Sequence, residues 1–243
     1  MEHFFIVGAQ RSGTTYLYEM LKQHPKINMA QPVKPEPKYF MEHNQDNLNY
    51  HNYIDSFFSS RMQGQILGEK STSYYEYESS ARLISSTVPK AKIIFLLRNP
   101  IYRALSNYYF SVENGLETRK LTDVFCEGAI IKAQPDNIST NPYNYLGRGE
   151  YYKFINLYKK YFGDSQIKIV IFEELLSSTK DIAELYDFLC VDSGFEPKQL
   201  EKINQSKVKK EEDLDVLQFL ASYYEPFNNE LAKLMGRDGH IWK

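Results

Sequence analysis

The feature that most constrains the fold of this chain is the passage from an apolar run to a glycine-bounded loop near its beginning. The run Phe4–Val7 has the length of a short strand, and Gly8 and Gly13 follow it with four residues between them. Glycine permits backbone angles and close approaches that a side chain forbids. Thr14 and Thr15 then open a segment with helical spacing. This order of strand, loop and helix is typical of a phosphate-binding P-loop, whose backbone N–H groups and helix N-terminus face an anion.

The loop differs from that of a nucleoside triphosphatase in the position of its cation. Such an enzyme has Lys directly after the second glycine, whereas this chain has Thr14 there and Arg11 within the loop. Arg11 adds a permanent charge with a fork of donors. The residues predicted to bind the phosphate-bearing group are Arg11, Ser12, Gly13, Thr14 and Thr15. The alternative interpretation is an ordinary strand–turn–helix in which the glycines serve only the turn.

A second basic position follows the most apolar strand of the sequence. The run Lys92–Leu97 is typical of a buried parallel strand, and Arg98 comes directly after it. A helix with Pro100 in its first turn follows and carries Ser106. A nucleoside triphosphatase is expected to have Asp at such a strand end, to hold Mg²⁺. Arg98 cannot bind a metal ion but can bind another phosphate, which predicts a donor with two separate phosphate groups and no required metal. A surface salt bridge is the alternative role for Arg98.

The remaining pattern predicts an α/β fold. Strand candidates, among them Ile66–Lys70 and Ile167–Phe172, alternate with helical segments, which favours a central parallel sheet flanked by helices. The length of 243 residues fits a single domain over residues 1–243. The formal net charge is −2, from 29 basic and 31 acidic residues, and gives no indication of a nucleic-acid partner.

The cysteines and the apolar segments lead to an expectation about location. Cys126 and Cys190 are too few for a disulfide framework and too far apart for a metal motif, so we expect buried thiols in a reducing compartment. The first apolar run is too short for a signal peptide or a membrane span, and no later stretch is long and apolar enough. A cytoplasmic protein without an integral membrane segment is therefore expected. The histidines and cysteines show no ligand spacing, so no metal site is expected.

Taken together, these motifs resemble those of sulfotransferases that use 3′-phosphoadenosine 5′-phosphosulfate (PAPS). Gly8–Leu17 resembles the 5′-phosphosulfate loop of that family, and Phe95–Ser106 resembles its 3′-phosphate motif. Within the family, the chain is similar to the heparan-sulfate type of glycan sulfotransferases and their bacterial relatives. Pro35–Phe40 resembles the Lys-Glu-x-His-Phe-Phe segment of that branch, with departures at Pro35 and Lys38. Glu69–Tyr74 resembles its Glu-Lys-Ser-Pro-x-Tyr segment, with Thr72 in place of Pro.

The resemblance implies a P-loop-containing, sulfotransferase-like fold and assigns roles to individual residues. Glu36, which stands between two prolines, is the candidate base for the acceptor, and a solvated loop carboxylate is the alternative. Arg11 is expected to act electrostatically on the departing phosphate, because Arg does not donate protons in the usual pH range. Lys70 is expected to contact the sulfuryl group or to orient the acceptor, or else to be a surface lysine. Arg98 and Ser106 are implied to bind the 3′-phosphate.

Two further elements are less specific. Gly149–Tyr151 matches a Gly-x-Tyr segment of the family, so Tyr151 is a candidate nucleotide contact, with packing at a helix start as the alternative. Related enzymes have a loop that covers the donor near the polar stretch with three lysines, Lys207, Lys209 and Lys210. A lid is one interpretation of that stretch, and an ordinary solvated charge run is the other.

The predicted function is transfer of a sulfuryl group from PAPS, the co-substrate, to an acceptor hydroxyl, with a carbohydrate as the expected acceptor. A lipid or natural-product hydroxyl is the alternative within the class. Outside the class, the alternatives are a P-loop kinase and a non-catalytic nucleotide-binding protein. Thr14 and Arg98 disfavour the kinase, whereas a non-catalytic protein would not require Glu36 or Lys70.

Overall fold

The computed structural model describes residues 2–41, 48–126, 139–198, 200 and 213–242. The chain divides into two compact units. The first consists of Met1–Leu97 with Ile155–Ile203, and the second of Arg98–Phe154 with Asn204–Lys243.

A five-stranded parallel sheet forms the centre of the first unit. In chain order its strands are β1 (His3–Gly8), β2 (Ile27–Met29), β3 (Ile66–Lys70), β4 (Lys92–Leu97) and β5 (Ile167–Ile171). Their order across the sheet is β2-β3-β1-β4-β5, and every pairing is parallel. The predicted α/β class with a central parallel sheet flanked by helices is therefore confirmed. The carboxyl ends of the strands meet at one edge, where ligand sites of such sheets lie.

Nine α-helices lie within the described residues. They are α1 (Thr14–Leu21), α2 (Tyr50–Phe57), α3 (Glu78–Thr87), α4 (Pro100–Glu113), α5 (Leu121–Phe125), α6 (Tyr151–Lys159), α7 (Phe172–Ser177), α8 (Thr179–Leu189) and α9 (Leu214–Leu234). The side chain of Asn99 caps α4 by accepting a 3.0 Å hydrogen bond from the N–H of Ile101, and Pro100 occupies its first turn. The local signals that begin this helix are therefore those that the sequence contains.

Each unit has its own hydrophobic core. In the first, strand β1 is buried along its whole length, as expected for a central parallel strand covered on both faces. Phe4 and Ile6 belong to a buried cluster with residues of α1 and α8, while the ring of Phe5 packs edge-on against Phe40. In the second unit, α4, α5 and α9 enclose an aromatic cluster that includes Tyr108, Tyr145 and Tyr224.

The expectation of buried thiols is wrong. Cys126 and Cys190 are both exposed. Cys190 ends α8 in the left-handed conformation, with φ 58°, and therefore lies beyond the apolar face that packs on the sheet. Its Sγ is 3.1 Å from Lys92 Nζ.

None of the helices in the described part of the chain combines the length and the apolar character needed to cross a membrane.

Candidate active site

The glycine-bounded loop connects the end of β1 to the start of α1. Gly13 has φ 89° at the N-cap of α1, and no side chain caps the helix there. A Cβ at Gly13 would lie 2.3 Å from Cε2 of Phe172, and one at Gly8 would lie 2.6 Å from Cβ of Tyr75. Both distances are too short for any side chain, so the loop can run here only with glycine at these two positions. The N–H of Ala9 donates to the carbonyl of Leu96 over 2.8 Å, which joins the loop to the end of β4.

The donors of this loop fit an anionic group. The Ser12 side chain is fully buried, and its Oγ has no hydrogen-bond partner among the described residues. A buried hydroxyl without a partner is costly, and an anion in the loop would satisfy it. The first N–H groups of α1, from Thr14 onward, have no carbonyl partner within the helix and lie at its positive end. Arg11 is half-buried and takes a left-handed φ of 69°, so the loop holds a strained non-glycine residue.

Lys70 and Glu36 meet at the end of strand β3, beside this loop. Strand β3 pairs directly with β1, with Lys70 opposite Ile6, and the N–H of Ser71 donates to the carbonyl of Ile6 over 3.2 Å. Lys70 Nζ forms an ion pair with Glu36 Oε1, and the two side chains are only 3% and 14% exposed. The structure therefore brings the candidate residues Glu36 and Lys70 together at the carboxyl edge of the sheet. The glycine-bounded loop between β1 and α1, called the anion loop below, leaves the sheet at the same edge.

Thr72 completes the surroundings of the Glu36 carboxylate, and the sequence analysis assigned it no role. Its N–H donates to Glu36 Oε2 over 2.9 Å, and its Oγ1 lies 3.1 Å from Oε1 and 3.0 Å from Oε2. Two further bonds fix the backbone after Glu36: the N–H of Lys38 donates to Ser71 Oγ over 3.0 Å, and the N–H of Phe40 donates to Tyr74 OH over 2.9 Å. The run of hydroxyl-bearing residues after β3 is the sequence signal that could have indicated these contacts.

A buried polar chain lies on the same strand, next to Lys70. Glu69 is fully buried and accepts a 2.6 Å hydrogen bond from Tyr53 OH. That hydroxyl is also 3.0 Å from His3 Nε2. Burial removes water from the ionised form of the carboxyl and raises the pKa of Glu69 to about 6. Burial likewise disfavours the imidazolium and lowers the pKa of His3 to about 3. Burial therefore favours the neutral forms of both His3 and Glu69, which the Tyr53 hydroxyl connects.

The other three predicted residues belong to the second unit. Arg98 directly follows β4 and precedes the cap of α4, and both Arg98 and Ser106 are half-buried. Tyr151, at the start of α6, is 1% exposed, and its hydroxyl donates to the carbonyl of Arg98 over 2.6 Å. Its ring packs near Trp242. The Tyr151 hydroxyl thus binds the backbone of Arg98, and the buried ring packs at the start of α6.

Two further expectations from the sequence concern a lid and a metal site. Lys207, Lys209 and Lys210 lie outside the described residues, so the lid remains a prediction. Over the residues that the structure describes, no group of three or more His, Cys, Asp or Glu side chains is arranged to hold a metal ion.

Comparison with known proteins places this arrangement in a family. The family described as "Sulfotransferase domain" matches residues 1–223. Heparan sulfate N-deacetylase/N-sulfotransferase 3 of Homo sapiens is 33% identical over an alignment of 268 positions, gaps included, that covers 97% of this chain and 30% of that protein. The corresponding enzyme 4 of Mus musculus is 32% identical with the same coverage. The chain spans about a third of the length of these curated relatives.

Solved structures agree with the sequence match. The crystal structure of a sulfotransferase from Alicyclobacillus acidocaldarius is similar, with a TM-score of 0.77 and 26% identity over 98% of this chain and 97% of that one. The sulfotransferase domain of the Synechococcus PCC 7002 olefin synthase shares the fold, with a TM-score of 0.55 and 17% identity over 98% and 96% of the two chains. With a family match over most of its length, the chain belongs to the sulfotransferase family.

Proposed function

We propose that this chain transfers the sulfuryl group of PAPS to an acceptor on a carbohydrate, and that residues 1–243 act as one sulfotransferase domain. The observation that carries the proposal is the carboxylate of Glu36, held at the edge of the sheet beside the anion loop. A phosphate-binding loop alone serves many functions, whereas an oriented carboxylate next to it supplies a proton acceptor for an attacking nucleophile.

In this proposal, the loop and the second basic position bind different phosphate groups of the donor. The N–H groups of the loop, with Ser12 and Arg11, bind the 5′-phosphosulfate, and Arg98 with Ser106 binds the 3′-phosphate. Negative charge develops on the bridging oxygen as the bond from that oxygen to sulfur breaks. Arg11 and the positive end of α1 stabilise this charge electrostatically. No step requires a metal ion.

Glu36 receives the proton of the acceptor as the new bond to sulfur forms. A carboxylate offers about four acceptor sites, so those that Lys70 and Thr72 leave open can take this proton. Lys70 lies against the base in this structure and neutralises its charge through the ion pair with Oε1. The 3′,5′-bisphosphate of adenosine leaves with the electron pair of the broken bond.

A hydroxyl is the acceptor that we propose first, and a glycan amine is the second candidate. The amine is favoured by one observation: the similar human and mouse proteins are named as heparan sulfate N-sulfotransferases. A lipid or natural-product hydroxyl remains the alternative outside carbohydrates. Membership of the sulfotransferase family disfavours a kinase, while a non-catalytic nucleotide-binding protein requires a direct test.

The test is transfer of ³⁵S from labelled PAPS to a panel of acceptors in the presence of EDTA. The panel contains heparan sulfate, its N-deacetylated form, a glycolipid and a phenol. We expect label in a saccharide, and loss of about 10²–10⁴-fold in kcat for Glu36→Gln, since a general base contributes that much. Glu225 is exposed on α9, and Glu225→Gln is the matched control with unchanged kcat. Equal turnover by Glu36→Gln and the control would remove Glu36 from the mechanism, and a wild-type chain that labels no acceptor would contradict the function.

A further inference from the structure

Thr72 is placed to control the orientation of the Glu36 carboxylate. It follows strand β3 directly, is 6% exposed, and contacts both carboxylate oxygens. Its N–H donates to Oε2, while its hydroxyl lies within 3.1 Å of Oε1 and 3.0 Å of Oε2. Two donors on one buried residue therefore reach a single carboxylate from two directions.

The contact of Lys70 with the same carboxylate does not fix its orientation. An ammonium group is a compact charge on a flexible stem of four carbons, with three donors that rotate, so it attracts Oε1 without setting the plane of the carboxylate. Hydrogen bonds from the backbone and from a short side chain are directional. The N–H and Oγ1 of Thr72 also start from a backbone that is fixed to β1 through Ser71. Thr72 thus supplies the directional part of the contact.

The residue type at this position matters for the same reason. The Glu-Lys-Ser-Pro-x-Tyr pattern, which Glu69–Tyr74 resembles, has Pro where this chain has Thr72. Proline has no N–H and no hydroxyl, so it can form neither of the two bonds seen here. This chain therefore holds its carboxylate with donors that the pattern lacks.

We propose that Thr72 is a positioning residue that turns the Glu36 carboxylate toward the acceptor. The inference rests on the proposed function, in which Glu36 is the base. Misplacement of a reacting group by about 1 Å can reduce a rate by about 10²-fold. We therefore expect Thr72→Val, which keeps the shape and removes the hydroxyl, to lower kcat about tenfold to a hundredfold with the KM for PAPS unchanged. Thr72→Ser, which keeps both donors, recovers most of this loss.

The kinetic test uses a double-mutant cycle with the panel acceptor that the wild-type chain labels fastest. If Thr72 acts through Glu36, Thr72→Val has no further effect on kcat once Glu36→Gln is present. Thr122 lies on α5, and its hydroxyl donates to Oδ1 of the neighbouring Asp123 over 3.3 Å, so Thr122→Val is the matched control and leaves kcat unchanged. Equal effects of Thr72→Val in the two backgrounds, or a raised KM for PAPS with unchanged kcat, would overturn the positioning role.

A spectroscopic measurement tests the contact without any acceptor. The amide proton of Thr72, which donates to a carboxylate in this structure, is followed by ¹H–¹⁵N NMR in the wild-type chain and in Glu36→Gln. We expect an upfield shift in Glu36→Gln and none in Glu225→Gln, because a neutral amide is a weaker acceptor than a carboxylate. An unshifted signal would overturn the inference even if the chain transfers sulfuryl groups. A shifted signal with no transfer to any acceptor would leave the contact intact and contradict the proposed function instead.

Discussion

Replacement of Glu69 by Gln is expected to change how the free energy of unfolding varies with pH. The pKa of this carboxyl is raised by burial from its ordinary value of 4.5 to about 6. Because the folded chain binds the proton more tightly than the unfolded chain, the stabilising contribution is fully present below pH 4.5 and is lost as the pH rises through about 6. At about 1.36 kcal/mol for each pKa unit, the loss amounts to about 2 kcal/mol.

Gln is neutral at every pH, so the Glu69→Gln variant does not lose stability through ionisation at this position. Urea denaturation of both proteins between pH 4 and pH 7 measures the difference in their free energies of unfolding. We expect the wild-type chain to lose about 2 kcal/mol relative to the variant across this window. His3, whose pKa is lowered to about 3, is present in both proteins.

The control for this measurement is Glu225→Gln, since Glu225 is exposed. The difference between the free energies of unfolding of this variant and of the wild-type chain, measured over the same pH range, is the baseline for Glu69→Gln. If the difference in free energy of unfolding between Glu69→Gln and the wild-type chain does not vary with pH beyond this baseline, folding does not raise the pKa of Glu69. A difference of opposite sign, with the wild-type chain gaining stability as the pH rises, would show that the fold favours the ionised carboxylate, and would refute the argument from burial.

Two further substitutions test the two proposed anion-binding positions. Gly13→Ala should abolish binding of 3′,5′-adenosine bisphosphate and should destabilise the chain by more than Gly64→Ala does. Both glycines have positive φ, but of the two new Cβ atoms only the one at Gly13 would collide with a neighbour, the ring of Phe172. Strain alone should cost Gly64→Ala about 1–2 kcal/mol, and equal losses in urea denaturation would refute the steric argument. Arg98→Ala should lower the affinity for the bisphosphate far more than the affinity for its 3′-hydroxyl analogue, as measured by calorimetric titration. Arg61→Ala is the control. An equal loss of affinity for both ligands would contradict a contact of Arg98 with the 3′-phosphate.

Local signals explain the parts of the fold that the sequence predicted well. Strand β4 (Lys92–Leu97) has the predicted bounds and is apolar after Lys92. Helix α4 (Pro100–Glu113) begins with an Asn cap and has the predicted proline in its first turn. Strand β2 (Ile27–Met29) was not predicted, because three residues are too few to show a periodicity. The predicted strand Ile167–Phe172 is one residue too long, since α7 begins at Phe172.

The contacts within the candidate site could not be predicted in the same way. Glu36 and Lys70 were identified as separate candidates from the motifs, but their ion pair joins residues 34 positions apart and depends on how loop and strand pack. The same holds for Thr72, and for Glu69, whose raised pKa results from its burial beside Tyr53. Such properties arise from tertiary structure, and a single sequence does not display them.

Ligand-linked stabilisation is the most direct test of whether the loop binds a 3′-phosphorylated sulfuryl donor. The free energy of unfolding is measured in EDTA with 3′,5′-adenosine bisphosphate, and separately with ATP and Mg²⁺. We expect the bisphosphate to stabilise the chain by about 2.7 kcal/mol at a concentration of a hundredfold Kd, and ATP to have little effect. Stronger stabilisation by ATP with Mg²⁺ than by the bisphosphate would contradict this expectation.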